Sequence, residues 1–160
     1  MNEFINILKY RLVWVNLFLC VFFVILSFYF FKTAAFLFVL LSNLFDILGY
    51  HFSLIRRSKQ LPEKIVIHSY RINQFMYDVL LLIIIGLHFD WIASFAGWIL
   101  KFFGLQDVLY YIFLKEKLPQ KWSWMKWTPL GFFMGDLNRN EIVAQTIIGI
   151  LISLLLLTLR

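Results

Sequence analysis

Long apolar segments alternate with basic gaps along this chain, and that alternation limits its fold more than any other feature. Lys9 and Arg11 precede the first segment. Arg56, Arg57, Lys59, Lys64 and Arg71 lie between the second and third, and Lys115, Lys117, Lys121, Lys126 and Arg139 precede the last. The remaining gaps are nearly bare, holding Lys32 and Asp90. A helix needs about 20 predominantly apolar residues to cross the ~30 Å hydrocarbon core of a bilayer. Backbone polar groups at that depth must be bonded within their own segment. Residues 12–31, 33–55, 72–89, 91–114 and 141–159 meet both conditions. The sequence therefore predicts an all-α integral membrane protein, five transmembrane helices in one bundle, forming a single polytopic domain over residues 1–160. Twelve basic residues fall on one side of this arrangement and two, Lys32 and Arg160, on the other, with Lys101 inside the fourth span. Basic residues collect on the cytoplasmic side, so the N-terminus is expected in the cytoplasm of an inner or plasma membrane.

Composition supports the class. Hydrophobic residues make up 62% and charged ones 15%, too few to cover a soluble domain. The net charge of +6 does not imply nucleic acid, because the basic residues flank apolar spans, where membrane lipid headgroups are the natural partner. The single cysteine, Cys20, excludes an intrachain disulfide and a cysteine-built metal cluster. The first segment is long for a signal sequence and ends without small residues, so it is expected to stay as a helix. No glycine-rich phosphate loop, His-x-x-x-His pair or Ser/His/Asp set is suggested.

Two stretches depart from this plain pattern. Lys101 and Gly104 interrupt the fourth span and could divide it into two half-helices. A continuous helix is the expectation, with Lys101 facing the bundle or snorkelling. Residues 115–140 are long for a connection and carry Trp122, Trp124 and Trp127 among lysines, then Phe132, Phe133 and Met134. Indoles and basic side chains both favour the headgroup level. The expectation is a Trp-rich segment lying along the cytoplasmic surface, or a lid over a lipid-facing pocket.

Three carboxylates inside the spans are the candidate catalytic residues: Asp46, Asp78 and Asp107. Ionisable groups in spans are costly and usually face a bundle interior or water. Asp46 lies ten residues before Arg56, Asp78 seven after Arg71, and Asp107 eight before Lys115. At ~1.5 Å rise per residue these are depths of roughly 15, 10 and 12 Å from the basic boundary, nearly one level. Helical spacing adds polar company: Asn43 and His51 on the second span, Arg71 and Gln74 on the third, Tyr110 on the fourth. With Arg56 at the mouth and Trp124 above, these residues would line a substrate-binding pocket. The competing reading makes the acids interhelical hydrogen-bonding glue, worth on the order of 1 kcal/mol each.

A lipid or isoprenoid substrate fits such a pocket, with Mg²⁺ as a possible cofactor if that substrate is a diphosphate. Asn43-x-x-Asp46 followed by Arg56-Arg57 faintly resembles the first motif of membrane prenyltransferases, without its second acid. Gln106-Asp107 followed by Tyr110-Tyr111 faintly resembles membrane lycopene cyclase domains, again with one acid replaced. Both resemblances are short and identify no family. The alternatives are a non-enzymatic subunit or assembly factor of a membrane complex, and a small transporter using the acids for protons or cations. The last span carries a stripe of Gln145, Gly149 and Ser153, which is expected to pack within the bundle, against a second copy or against a partner helix.

Overall fold

The computed structural model describes residues 7–49 and 63–159, with side chains from residue 69 in the second stretch. His51 and Arg56, and the predicted end of the second span beyond residue 49, lie outside the described residues. Helix α1 runs from Arg11 to Tyr29 and α2 from Ala34 to Asp46, joined by a single 3-10 turn at Phe31–Thr33. That turn is pinned by Ser27, whose hydroxyl donates to the Phe23 carbonyl at 2.7 Å and meets the Thr33 hydroxyl at 3.0 Å. Helix α3 covers Glu63–His88. Asp90 ends the next turn as the N-cap of α4 (Trp91–Phe102), accepting the Ala93 N–H at 2.8 Å. Asp90 is buried, its carboxylate satisfying an orphan helix donor.

Four stretches are each long and apolar enough to cross a membrane: Arg11–Tyr29, Phe31–Gly49, Ser69–His88 and Arg139–Thr158. The expected fourth span is not continuous. Helix α4 stops at Phe102, and α5 (Leu105–Leu114) leaves at 67° to it. Gly104 sits at the break with φ +93°, a conformation that costs glycine little and other residues more. The Phe103 carbonyl freed there accepts from Gln145 Nε2 at 3.2 Å and Thr146 Oγ1 at 3.3 Å. Both donors lie on the C-terminal helix Arg139–Thr158 (α7), so the break is capped by a neighbouring helix.

The same interactions account for the small and polar stripe on α7. Gln145 is fully buried, Ser153 donates to the Ala96 carbonyl at 3.0 Å, and a Cβ on Gly149 would stand 2.3 Å from Phe103 Cβ. The stripe is therefore occupied from within the chain by α4 and the break. What α7 leaves outside is apolar, including Ile147, Leu151 and Leu155.

Helix α2 is the hub. Its Ala34, Ala35, Phe38 and Val39 are almost wholly buried, and they meet Ala93, Ala96 and Leu100 of α4. On the other side Leu40 and Ile47 pack with Leu12, Val13 and Cys20 of α1 and Phe113 of α5. Asn16 crosses this second seam, donating to the Leu40 carbonyl at 3.0 Å and accepting from Asn43 Nδ2 at 3.1 Å. Both amides are fully buried. Replacing Asn16 by leucine strands the Asn43 donors, and is expected to cost about 1–2 kcal/mol, the upper end for interhelical hydrogen bonds in membrane bundles. Equilibrium unfolding in mixed micelles measures it, and a change under about 0.3 kcal/mol contradicts the account.

Residues 115–140 fold into more than a surface strap. Lys121–Trp122 (β1) pairs antiparallel with Leu137–Asn138 (β2), and Pro129–Met134 forms a short helix, α6. Trp122, expected at headgroup level, is fully buried among Met125, Leu137 and Ile142. Its indole N–H donates to the Pro119 carbonyl at 2.9 Å, so burial leaves no unmet donor. Asn138 and Glu141 then form a capping box that starts α7, and Arg139 donates two bonds to the Leu118 carbonyl. The tip of the segment remains uncovered, with Trp127, Phe132 and Phe133 all more than three-quarters exposed.

Candidate functional site

The polar residues of α2, α3, α4 and α5 do meet. Asp46 ends the regular part of α2, just before a wider π-helical turn at residues 47–49. Its carboxylate accepts the Tyr70 hydroxyl and the Gln106 side-chain N–H, and Gln74 Nε2 lies 3.3 Å from each oxygen. Phe45 fixes the α2/α3 register beside it, stacking 4.3 Å from the Tyr77 ring and 6.3 Å from that of Tyr70. Three donors from two other helices thus converge on one acid.

Asp78, one turn beyond Gln74 on α3, is paired with Lys101 of α4. The two side chains are only 14% and 12% exposed, so Lys101 faces the bundle and does not snorkel. Lys101 sits three residues ahead of the Gly104 break, where α4 still points its last turn at α3.

Asp107 stands on the first turn of α5 and accepts the Trp124 indole N–H at 3.2 Å. Trp124 also offers its backbone carbonyl to Arg71 Nη2 at 3.3 Å, while Arg71 Nη1 donates to Gln74 Oε1 at 2.8 Å. A single thread of hydrogen bonds therefore runs from Asp46 through Gln74, Arg71 and Trp124 to Asp107. It ties the segment 115–140 down across the polar level.

Of the sequence-derived candidates, Asp46, Gln74, Arg71, Trp124 and Asp107 lie on this thread, and Asp78 lies one turn along from it. Asn43 does not line the site; it is committed to Asn16 in the α1/α2 seam. Tyr110 is half buried at the edge of the α1/α2/α5 core, its ring 5.5 Å from Tyr111. Tyr70 is a site residue that the spacing argument misses. Its signal is present in the sequence, four residues before Gln74 on the same helical face.

The expected Mg²⁺ is tied to a diphosphate substrate. Among the described residues no three carboxylate, imidazole or thiolate groups come together as a metal-holding set. Asp46 is taken up by protein donors and Asp78 is paired with Lys101, an arrangement that does not fit a metal-bound diphosphate. The Gln106 side-chain oxygen is buried without a donor among the described residues, leaving acceptor capacity beside Asp46. Chemically, the layer can orient a polar head by hydrogen bonds, and Arg71 is its exposed cation.

No known protein family matches this chain, and neither does any curated protein or solved structure.

Proposed function

We propose that the chain is an integral membrane protein, N-terminus in the cytoplasm, whose polar layer binds the polar end of a lipid-like amphiphile. Membrane integration is supported by the apolar surface. Phe18, Val21, Ile25 and Phe28 on α1 are exposed, as are Phe75, Ile83 and Leu87 on α3 and Leu151 and Leu155 on α7. Water would not tolerate so extensive an apolar exterior, and lipid would cover it. The cytoplasmic placement of the layer rests on the bias of the basic residues.

The observation that carries the binding reading is the thread from Asp46 to Asp107. Hydrogen-bonding groups from α2, α3, α5 and the Trp124 segment meet at one level in an otherwise apolar bundle. Such groups are expensive in a membrane and mark functional sites by default. In this reading Asp107 accepts a hydrogen bond from the ligand's head, Asp46 holds Gln74 and Gln106 in place beside it, and the apolar part lies along the helices.

The test replaces Asp46 and Asp107 by asparagine, singly, in the full chain. Asparagine keeps shape and half of the acceptor capacity, so folding in detergent is expected to survive. Complementation of a deletion strain is expected to fall at least about tenfold for each variant, with an amphiphile accumulating in lipid extracts. The saturation of Asp46 by three protein donors favours a second reading, a structural layer in a subunit of a membrane complex. Variants that fold and complement fully would select that reading.

A further inference from the structure

Arg71 is placed to do more than hold Trp124 in position. We infer that Arg71 and Trp124 form the recognition point for the phosphodiester of a phospholipid headgroup, with the lipid's chains lying along the outer face of α3. This rests on the reading of the polar layer as a head-binding site and names the chemistry of that head.

Donor arithmetic is the first support. A guanidinium has five N–H donors in a fixed planar fork and stays charged at any working pH. Two of them are used, on the Gln74 side-chain oxygen and the Trp124 carbonyl. Both acceptors are neutral, and no carboxylate lies within ion-pair distance of Arg71 among the described residues. The side chain is exposed. The two bonds orient the fork, and among the described residues they leave three donors of an exposed cation without a partner.

No neighbouring acid forms an ion pair with that charge among the described residues, although Asp107 lies near enough to feel it. The Asp46 oxygens are taken by Tyr70, Gln74 and Gln106, Asp78 is neutralised by Lys101, and Asp107 receives the Trp124 indole. Among the described residues no anionic oxygen pairs with Arg71, and a phosphodiester matches a guanidinium fork through two parallel bonds.

The surroundings supply the lipid source. Ile72, Phe75 and Met76, the next residues and next turn of α3, are all more than 60% exposed. Arg71 thus marks the basic end of an uncovered apolar lane, the position from which an arginine reaches headgroup phosphate. Trp124 is itself partly exposed beside it, and an indole suits that level. Free phosphate would use the charge but not the lane.

The experiment is native mass spectrometry of the full chain in detergent after delipidation. The probes are dioleoyl phosphatidylglycerol, dioleoylglycerol and inorganic phosphate, tested on wild type, R71Q, R71K and D46N. Phosphatidylglycerol is expected to bind wild type at least about tenfold more tightly than dioleoylglycerol, the scale of one charge-assisted bidentate contact. R71Q is expected to lose that preference, while R71K retains part of it as a point charge. Equal binding of the two lipids, or an unchanged preference in R71Q, overturns the inference. Displacement of phosphatidylglycerol by inorganic phosphate at similar concentration overturns the lipid source. D46N separates the two proposals: a kept phosphate preference with full complementation retains the Arg71 site and removes the wider function. Failed complementation by D46N with no phosphate preference in wild type does the reverse.

Discussion

Lys101→Met is expected to destabilise the protein by about 3–5 kcal/mol, the usual cost of removing one partner from a buried ion pair. The change keeps the length and apolar stem of the side chain and deletes only its charge. Asp78 then remains among Ser42, Tyr77 and the α4 helix with no cation beside it. The pair itself need not be stabilising, because both charges were taken from water to make it. That asymmetry yields a sharper test than the single variant. Lys101→Met with Asp78→Leu is expected to recover most of the loss, since it removes the stranded charge as well. Unfolding titrations of wild type, both single variants and the double variant measure the coupling. A single variant as stable as wild type would mean that Asp78 finds solvent, and that the α3/α4 face is wetter than the structure has it.

Gly97→Val is the second large effect. A Cβ at this position would lie 2.5 Å from Phe38 Cβ and 2.6 Å from the Ala35 carbonyl oxygen. One of these is backbone, so no rotamer change relieves the clash, and α2 and α4 must separate. Overpacking of this kind costs roughly 1–3 kcal/mol, and a further cost arises as α2 pulls away from its other neighbours. Because α2 also carries Asp46, separation should disturb the polar layer, and the headgroup binding proposed above is expected to weaken together with stability. Gly49→Ala is the control. Among the described residues a Cβ there meets only Tyr70 Cε2, at 3.9 Å, and stability should change by no more than about 0.5 kcal/mol. Equal stability of the Gly97 and Gly49 variants would contradict the close α2/α4 approach.

The polar layer shows how far sequence spacing reaches. Position along an unbroken helix follows from residue count, but Asp107 lies beyond the Gly104 break, where α5 turns through 67°, and joins the layer only through packing. Rotation about the helix axis cannot be counted, because it depends on which faces fit together. Hence Gln74 and Asp46 meet as their spacing suggests, whereas Asn43, one turn from Asp46, turns instead toward Asn16. Asn16 is the polar centre of the first span and carries the signal for that seam, but nothing in the sequence names its partner.

The segment 115–140 makes the same point from the other side. Its three tryptophans read alike in sequence, yet they take different positions in the fold. Trp122 is in a core, Trp124 is on Asp107 and Trp127 is outside. A two-residue ladder and a capping box decide this, and both depend on Leu137 and Asn138 returning to meet Lys121 and Trp122.

Sequence alone determined the helical class and the apolar stretches, because these follow from local composition. Tertiary structure decided the break at Gly104, the pairing of Lys101 with Asp78, and the thread from Asp46 to Asp107. The break persists because Gln145 and Thr146 of a distant helix take up the Phe103 carbonyl. The ion pair and the thread likewise join side chains from different helices, and such pairings are settled only when the helices pack.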